Sequence, residues 1–401
     1  MSAIVGYLTS VNAQASDLVG EYQSGILVKR SKGFNAVLFG LMARLANESS
    51  DNTEFNLFER DPVTRRVFSS AGTTVTTATT LAFDDGAGNS AHVFLGLGDT
   101  LWNQRSGEYV YVAENPTTGN VVVQRAINSV SGTVVDNDEW VIVSRGIEEG
   151  GNASRGEYEN PSLITNYIQT FSRTYELSLQ FKGEVLRSDA EGKQRDAALQ
   201  ALERISADIE LAYLFGVKTK ITGGTSKRLY TTGGIHDAIV KAGLSSTNIL
   251  NGNGTSGISI DALISWTKNV LTNGSDAKLL LAGPSAYSAI SSYANSGAAG
   301  YRYTSTDRAW GLQIQTINTP FGEIGLAMHP LLKETPNLHD KAILVDLENV
   351  IQKVKVPLIF RDCLADNDAF AIKEGFYAEL GLKLSFPEAF GSLTNFSKVI
   401  A

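Results

Sequence analysis

The sequence predicts an α+β protein in which sheets and helices form one body. Residues 188–215 carry apolar side chains at three- and four-residue spacing, which is the pattern of one long amphipathic helix. The chain before this segment contains Thr- and Val-rich runs separated by turn residues, which favours β-strands. After it, helical and strand patterns follow one another, as is typical of an α+β fold.

Length and composition place the chain among globular proteins. Its 401 residues are enough for two or three domains, and a hydrophobic content of 43% excludes wholesale disorder. No apolar run approaches the ~20 residues that a membrane-spanning helix needs. The N-terminus lacks the basic region and apolar core of a secretory signal. We therefore expect no membrane partner.

The charge balance argues against a sequence-specific DNA-binding role. The formal net charge is −8, whereas proteins that bind nucleic acid through its phosphates are rich in Lys and Arg. The dense basic spots at 29–32, 65–66 and 227–228 are interpreted as solvated turns. The single cysteine, Cys363, excludes an intrachain disulfide and cysteine-rich zinc patterns.

Residues 1–55 predict an extended arm. Their apolar patches are short and separated by glycines, and only Asn35–Ala46 has a helical pattern. Because such a segment cannot offset its ordering entropy alone, we expect neighbouring molecules to order it.

Residues 73–145 predict a small β-barrel or sandwich, because several short strands are separated by turn signals. The expected strands are Thr73–Leu81, Val93–Leu95, Glu108–Val112, Val121–Gln124 and Trp140–Val143. A further strand pattern, Thr170–Val185, leads into the long helix.

The long helix has predicted caps at both ends and two distinct faces. Ser188–Glu191 has the letters of a capping box, and Gly216 is placed to end the helix in a left-handed conformation. Its apolar stripe is predicted to be Ala198, Leu202, Ile205, Ile209 and Ala212. Its polar face is predicted to carry Asp196, Glu203 and Glu210, with i,i+4 pairs Glu191/Arg195 and Arg204/Asp208.

Beyond the helix, alternating elements predict the rest of the body. The expected elements are a helix over Ile260–Leu271, a buried strand Lys278–Ala282, a helix starting at Pro284, a hairpin of Leu312–Thr316 with Glu323–Ala327, strands Lys341–Asp346 and Val350–Val356, and a pair or one long strand within Ala369–Phe386.

The sequence predicts no catalytic, cofactor-binding or metal site. Gly252–Gly257 satisfies a dinucleotide-binding pattern, but Thr247–Leu250 before it is interpreted as a polar loop rather than the buried strand which that site needs. Gly223–Lys227 has the letters of a phosphate loop in the wrong order. The four histidines, His92, His236, His329 and His339, show no metal-ligand spacing.

Short patterns spread along nearly the whole chain resemble those of one protein family. They are Phe55–Pro62, Gly98–Leu101, Gly107–Val112, Val123–Arg125, Glu148–Gly150, Phe171–Ser178, Gly233–Ile235, Lys278–Pro284, Phe321–Ile324 and Tyr377–Leu382. With the order arm, β excursion, long helix and mixed body, the chain resembles major capsid proteins of tailed bacteriophages. These share the Hong Kong ninety-seven fold, and the resemblance is closest to the SU-ten type podophage family.

The resemblance implies a division of the chain into capsid domains. Residues 1–55 would be the N-terminal arm, and 56–182 the extended loop with its β-rich insertion. Residues 183–235 would be the peripheral domain with the spine helix, 236–344 the axial domain, and 345–401 the C-terminal strands of the peripheral domain.

The resemblance also implies a non-enzymatic protein that assembles in the bacterial host cytoplasm into the icosahedral head shell of a virion. Its partners would be copies of itself in hexamers and pentamers, a portal and cementing proteins. Packaged double-stranded DNA would touch it only by weak non-specific contact. Because no charged, coiled-coil-like segment precedes the arm, we expect scaffolding to be a separate protein.

Three alternatives stay open on the sequence. An encapsulin would share the fold without enclosing DNA, and another virion component such as a tail or decoration protein would form no closed shell. An enzyme using Gly252–Gly257 would bind a nicotinamide or flavin cofactor.

Overall fold

The computed structural model describes residues 36–45, 47–60, 65–86, 95–117, 119–147, 149, 161–183, 192–222, 227–252, 258–295, 302–309, 312–366, 369–396 and 399–400. The chain divides into two compact units, residues 58–163 and the remainder. The capping box at 188–191, the glycine-rich loops at 223–226 and 253–257, and His92 lie outside the described residues.

The α-helices of the described chain are α1 (Val37–Leu45), α2 (Leu179–Gly183), α3 (Lys193–Phe215), α4 (Ile235–Lys241), α5 (Ile260–Leu271), α6 (Pro284–Asn295) and α7 (Pro330–Glu334).

The strands of the unit 58–163 and of the chain that enters and leaves it are β1 (Asn47–Ser49), β2 (Glu54–Glu59), β3 (Arg66–Ser69), β4 (Thr80–Asp84), β5 (Asp99–Asn103), β6 (Tyr109–Val112), β7 (Asn120–Gln124), β8 (Glu139–Arg145), β9 (Ser162–Tyr167) and β10 (Gln169–Ser178).

The later strands are β11 (Thr219–Thr222), β12 (Arg228–Thr231), β13 (Ile249–Asn251), β14 (Ile258–Ser259), β15 (Ala277–Ala282), β16 (Arg302–Ala309), β17 (Leu312–Thr319), β18 (Gly322–Met328), β19 (Ala342–Val345), β20 (Val350–Arg361), β21 (Ala371–Leu384), β22 (Gly391–Thr394) and β23 (Val399–Ile400).

The unit 58–163 is a closed β-barrel with strand order β3-β4-β7-β6-β5-β8. Its strands alternate buried and half-exposed positions, as in β5, because successive side chains point to opposite faces. The core is filled around Trp140, whose ring meets Phe83 edge-on at 5.6 Å. A barrel is one of the two architectures that the sequence predicts.

The barrel strands differ from the predicted ones in three places, and the predicted strand Val93–Leu95 lies outside the described residues except for Leu95. The run Thr73–Leu81 is not one strand, since β4 begins at Thr80 and Thr73 makes only an isolated bridge with Val134. Strands β3 and β5 are missed by the sequence patterns. β3 has only four residues, and its two apolar residues, Val67 and Phe68, are adjacent, so no polar–apolar alternation marks it as a strand.

The other unit contains a seven-stranded sheet and a four-stranded sheet. The seven strands run in the order β13-β22-β19-β15-β18-β17-β16, with β15 almost entirely buried between parallel β18 and antiparallel β19. The four strands run in the order β1-β20-β21-β10. Ala371–Leu384 is one long strand, and the pattern predicted up to Val185 ends in β10 at Ser178 and continues as α2.

The spine helix α3 has 23 residues, and at ~1.5 Å per residue it is about 34 Å long. Ile205 and Ile209 are fully buried, which confirms the centre of the predicted stripe. Gly216 follows the helix with φ −58° and ψ 147°, so the predicted left-handed cap is wrong. Asp208 pairs with Arg173 of β10, at 2.5 Å, rather than with Arg204.

Residues 36–57 belong to the body of their own subunit. Val37, Leu38, Leu41 and Met42 of α1 are buried in the core that contains the spine helix, and β1 pairs with β20. The expectation that neighbours order the arm is therefore wrong for this part and stays a prediction for residues 1–35, which lie outside the described residues.

Candidate functional site

A buried carboxylate, Glu210, connects three parts of the fold. Its Oε1 accepts the backbone N–H of Leu38 at 2.8 Å and lies 2.7 Å from Nε2 of His329. Its Oε2 accepts the backbone N–H of Phe39 at 2.8 Å. Glu210 and His329 are both fully buried. We call this arrangement the Glu210 anchor, because it ties α1 and the residue before α7 to the spine helix.

The Glu210 anchor caps the N-terminus of α1. The first amides of a helix have no partner within it, and a carboxylate there also meets the positive end of the helix dipole. Leu38 and Phe39 lie in that first turn. The placement of Glu210 on the solvent-facing side of α3 is therefore wrong. A sequence signal existed: Ala36, directly before α1, has no side-chain acceptor, so a cap had to come from elsewhere.

A second buried polar node lies where α5 and β19 end and β15 begins. The Lys278 ammonium donates to the carbonyls of Val270 at 2.7 Å, Ala389 at 2.7 Å and Asn273 at 2.5 Å. The Asp346 carboxylate lies 4.0 Å away. Burial lowers the pKa of Lys278 to about 8, against the opposing effect of Asp346.

The Lys278 node predicts a pH dependence of stability. Below pH 8 the amine is protonated in folded and unfolded chains; between pH 8 and 10.5 the unfolded chain holds a proton that the folded chain has lost. The free energy of unfolding therefore rises with pH in this window. We expect the free energy of unfolding of the wild-type subunit, measured relative to that of Lys278→Met, to rise by about 2–3 kcal/mol from pH 7 to 10.5. Urea unfolding followed by circular dichroism measures this, and a pH-independent difference would contradict it.

Three bidentate arginine–carboxylate pairs lie in the part of the barrel that the structure describes. Arg145 binds Asp99 at 2.6 and 2.8 Å, Arg105 binds Asp138 at 2.6 and 2.7 Å, and Arg125 binds Glu108 at 2.9 and 2.6 Å. The hydrogen bond from Arg105 lowers the pKa of Asp138. Each guanidinium matches its carboxylate through two parallel bonds, so these groups brace the barrel.

The end of the four-stranded sheet is an apolar surface, which we call the apolar tip. It is formed by Leu179, Phe181, Phe360, Leu364 and Phe370, all exposed. Phe370 is 84% exposed, and its carbonyl accepts the N–H of Leu179. Beside them is a groove of about 260 Å³ lined by Ser172, Arg361, Leu364, Gly375, Phe376 and Tyr377. Exposed apolar clusters of this kind mark sites of protein–protein contact.

The groove suits a side chain of another protein better than a small molecule. Its volume of about 260 Å³ lies below the ~300–1,000 Å³ of most ligand pockets. Arg361 lies over the Tyr377 ring, 5.1 Å from its centroid, so the guanidinium is already engaged at the rim.

The hairpin β11–β12 presents a second surface with apolar and basic residues. Ile221 and Leu229 are more than half exposed, and Lys220 lies 5.7 Å from the Tyr230 ring centroid. Of the predicted solvated turn 227–228, Arg228 is the first residue of β12 and Lys227 precedes it; both are exposed.

The described histidines are not brought together. His329 belongs to the Glu210 anchor, His236 Nδ1 lies 3.1 Å from Ser392 Oγ, and His339 donates to the Lys333 carbonyl at 2.8 Å. Within the described ranges, no group of three or more His, Cys, Asp or Glu residues could hold a metal ion. The helices of that part of the chain include none long and apolar enough to cross a membrane.

The chain before Gly252 differs from the predicted polar loop, because Ile249–Asn251 forms β13 at the edge of the seven-stranded sheet. This strand has only three residues and is half-buried to exposed. It is not the central buried strand from which a dinucleotide-binding glycine turn departs.

Comparison with known proteins gives one family match and several structural likenesses. A family model described as the SU10 major capsid protein matches residues 42–397, which span both units. A chain from Microbacterium phage Oxtober96 is 9% identical with a TM-score of 0.45, covering 96% of this chain and 98% of that chain. A chain of the capsid of an empty GTA particle is 10% identical with a TM-score of 0.44, covering 95% of each.

The SrpI encapsulin from Synechococcus elongatus is 12% identical with a TM-score of 0.40, covering 60% of this chain and 77% of that chain. Comparison with curated proteins finds no match.

Proposed function

Because the chain belongs to the SU10 major capsid protein family, and so is a structural protein of a phage capsid, we propose that its copies close into an icosahedral head shell around a double-stranded DNA genome. The observation that carries the proposal is the family match over residues 42–397. The net charge of −8 supports it, because an acidic container holds DNA with only weak non-specific contact.

We assign the capsid domains as the resemblance implies them. The arm is 1–55, of which α1 and β1 pack on the body of the same subunit. The extended loop is 56–182, the axial domain 236–344, and the peripheral domain 183–235 together with 345–401. The assignment of the loop is supported by the barrel, because the unit 58–163 has a hydrophobic core of its own. The spine helix shares one core with β20 and β21 of the peripheral domain, and this core also includes residues of β15, β18 and β19 from the axial domain.

The subunit offers surfaces suited to repeated contact with copies of itself. The apolar tip and the β11–β12 hairpin expose large apolar side chains. Burying these side chains in a contact with another subunit is favourable. In hexamers and pentamers each such contact recurs with the symmetry, so modest areas sum to a large stabilisation.

The remaining partners follow from the family role. A shell of this kind needs a portal through which DNA enters, a scaffolding protein that sets its size, and, in some phages, cementing proteins. We propose that these are separate chains and that assembly takes place in the host cytoplasm.

Electron microscopy of the purified protein tests the proposed function. We expect closed particles of uniform diameter, and nucleic acid in particles recovered from infected cells. Closed particles that lack nucleic acid and enclose a cargo protein would identify an encapsulin instead. Tubes, rings or monomers alone would indicate another virion component.

Removal of the barrel tests its part in assembly. The Ser162 hydroxyl donates to the Glu59 carbonyl at 3.3 Å, so a short Gly/Ser bridge can join β2 to β9 in place of residues 61–160. A cut starting at Thr73 would leave β3 without its partners β4 and β8. We expect the remaining unit to fold, because its cores are separate from that of the barrel.

Assembly of the deletion variant should fail or give aberrant particles. Circular dichroism checks the fold and sedimentation checks the particle. Normal shells from the variant would show that the barrel decorates the shell and does not build it.

A further inference from the structure

One surface of the barrel is built from two segments that contain no ionisable residue. It is formed by residues 71–79 and 126–135, which contain no Asp, Glu, Lys, Arg or His. Four aliphatic side chains on it are between 41% and 54% exposed: Val75, Ile127, Val130 and Val135. Exposed threonines and serines lie between them. We call this surface the charge-free face.

The two segments of the charge-free face form one continuous surface. Thr73 and Val134 exchange backbone hydrogen bonds of 2.7 and 2.9 Å. The Arg125 guanidinium donates to the Val75 carbonyl at 2.7 Å and to the Gly132 carbonyl. Since one buried guanidinium binds a carbonyl of each segment, their backbones lie next to each other.

The charge-free face is held in one conformation before any partner arrives. Arg125 is itself fixed by Glu108, and Arg105 donates to the Thr133 carbonyl at 2.5 Å. The Asn128 side chain donates to the Gly107 carbonyl at 3.0 Å. Ala126 and Ser129 keep left-handed φ values of 53° and 60°, which other contacts must stabilise. A preorganised surface loses less entropy on binding.

The composition of this face suits contact with a copy of itself. Identical charged faces repel when they meet, and copies of a chain with a net charge of −8 repel in general. A face without charges avoids that cost, and depletion of charge is what distinguishes the core of protein interfaces. In a two-fold contact the same patch on both subunits meets.

We propose that the charge-free face pairs with the same face of a second copy of this chain in the shell. The proposal rests on the proposed function and deepens it, since it names one contact by which the barrel takes part in assembly. The pairing places the aliphatic side chains of both copies against each other and leaves the Arg105–Asp138 pair at the rim.

Site-specific cross-linking tests this pairing in assembled particles of the full-length protein. Cys363 is the only cysteine, so Cys363→Ser gives a background without thiols. Val75→Cys, Ile127→Cys, Val130→Cys and Val135→Cys are then made singly and treated with a short bis-maleimide. We expect at least one to give covalent dimers at a yield more than fivefold above that of Val143→Cys.

Val143 is the matched control, because it is 48% exposed on β8 and lies outside the charge-free face. If particles form but none of the four face variants gives a higher cross-linking yield than this control, the inference is overturned while the proposed function stands. Cross-links to a different virion protein would overturn it as well, because another partner would then occupy the face. Wild-type protein that forms no particles would overturn the proposed function and this inference with it.

A charge placed on the face gives a second readout. Val130→Glu brings two carboxylates together in each face-to-face contact, so we expect at least a tenfold loss of assembled protein. Val143→Glu should assemble like the wild type, and circular dichroism of both variants checks the fold. Wild-type assembly of Val130→Glu would contradict the pairing.

Discussion

Replacing Glu210 by glutamine is expected to destabilise the subunit by about 3–5 kcal/mol. In the wild type, the two carboxylate oxygens accept hydrogen bonds from the backbone amides of Leu38 and Phe39, and one of them also contacts the His329 ring. A glutamine has one oxygen and one NH2, so an NH2 must face a donor that has no other acceptor in the core. Buried polar groups without partners account for the loss. Urea unfolding of purified subunits measures the change.

The same substitution at Glu203 is the matched control. Glu203 lies two helical turns earlier on the spine helix and is half exposed, so Glu203→Gln should change the free energy of unfolding by less than about 0.5 kcal/mol. A second readout follows from the contact with α1: in Glu210→Gln, amide exchange within α1 should accelerate more than in α5. Equal stability of the two variants would show that the anchor contributes nothing.

The comparison of Glu203 with Glu210 shows what periodicity can and cannot predict. Seven residues are close to two helical turns, so both side chains fall on the same side of an ideal helix. Glu203 remains half exposed, whereas Glu210 is covered by α1 and His329. Those covering residues are 172 and 119 positions away in the sequence. The sequence therefore predicted the helix and its apolar stripe but not which acidic residue the tertiary packing would bury.

The Thr/Val run at 73–81 failed as a strand prediction for a related reason. β-propensity measures how well a residue fits a half-buried pleated surface, and this run has no neighbouring strand along most of its length. Its backbone carbonyl at Val75 bonds instead to Arg125, across 50 positions of sequence. The Thr and Val residues that led to the strand prediction are also uncharged, and they form part of the charge-free face.

The contact surfaces were the least predictable part. Phe370 of the apolar tip lies in the run Ala369–Phe386, which the sequence assigns to strands, whereas Phe360 lies beyond the end of the predicted strand Val350–Val356; both are exposed. Only the sheet order, which leaves the end of the β20–β21 pair uncovered in the described residues, shows that they face solvent.

Replacing Ile205 by aspartate is expected to cost more than about 4 kcal/mol and to leave little folded subunit. Ile205 is fully buried in the core that joins the spine helix, α1 and the β20–β21 pair. Its aspartate would be a charge without a partner, and the lost apolar contacts would leave a cavity. Soluble yield, thermal unfolding and particle formation should all fall together, because no other element replaces the spine helix in that core.

Leu199→Asp is the control that separates burial from the chemistry of the substitution. Leu199 lies on the same helix but is 42% exposed, so its aspartate stays hydrated and the free energy of unfolding should change by less than about 1 kcal/mol. The two variants differ only in the environment that the same carboxylate enters. An Ile205→Asp subunit that folds and assembles at the wild-type yield would mean that the spine helix does not form the centre of this core.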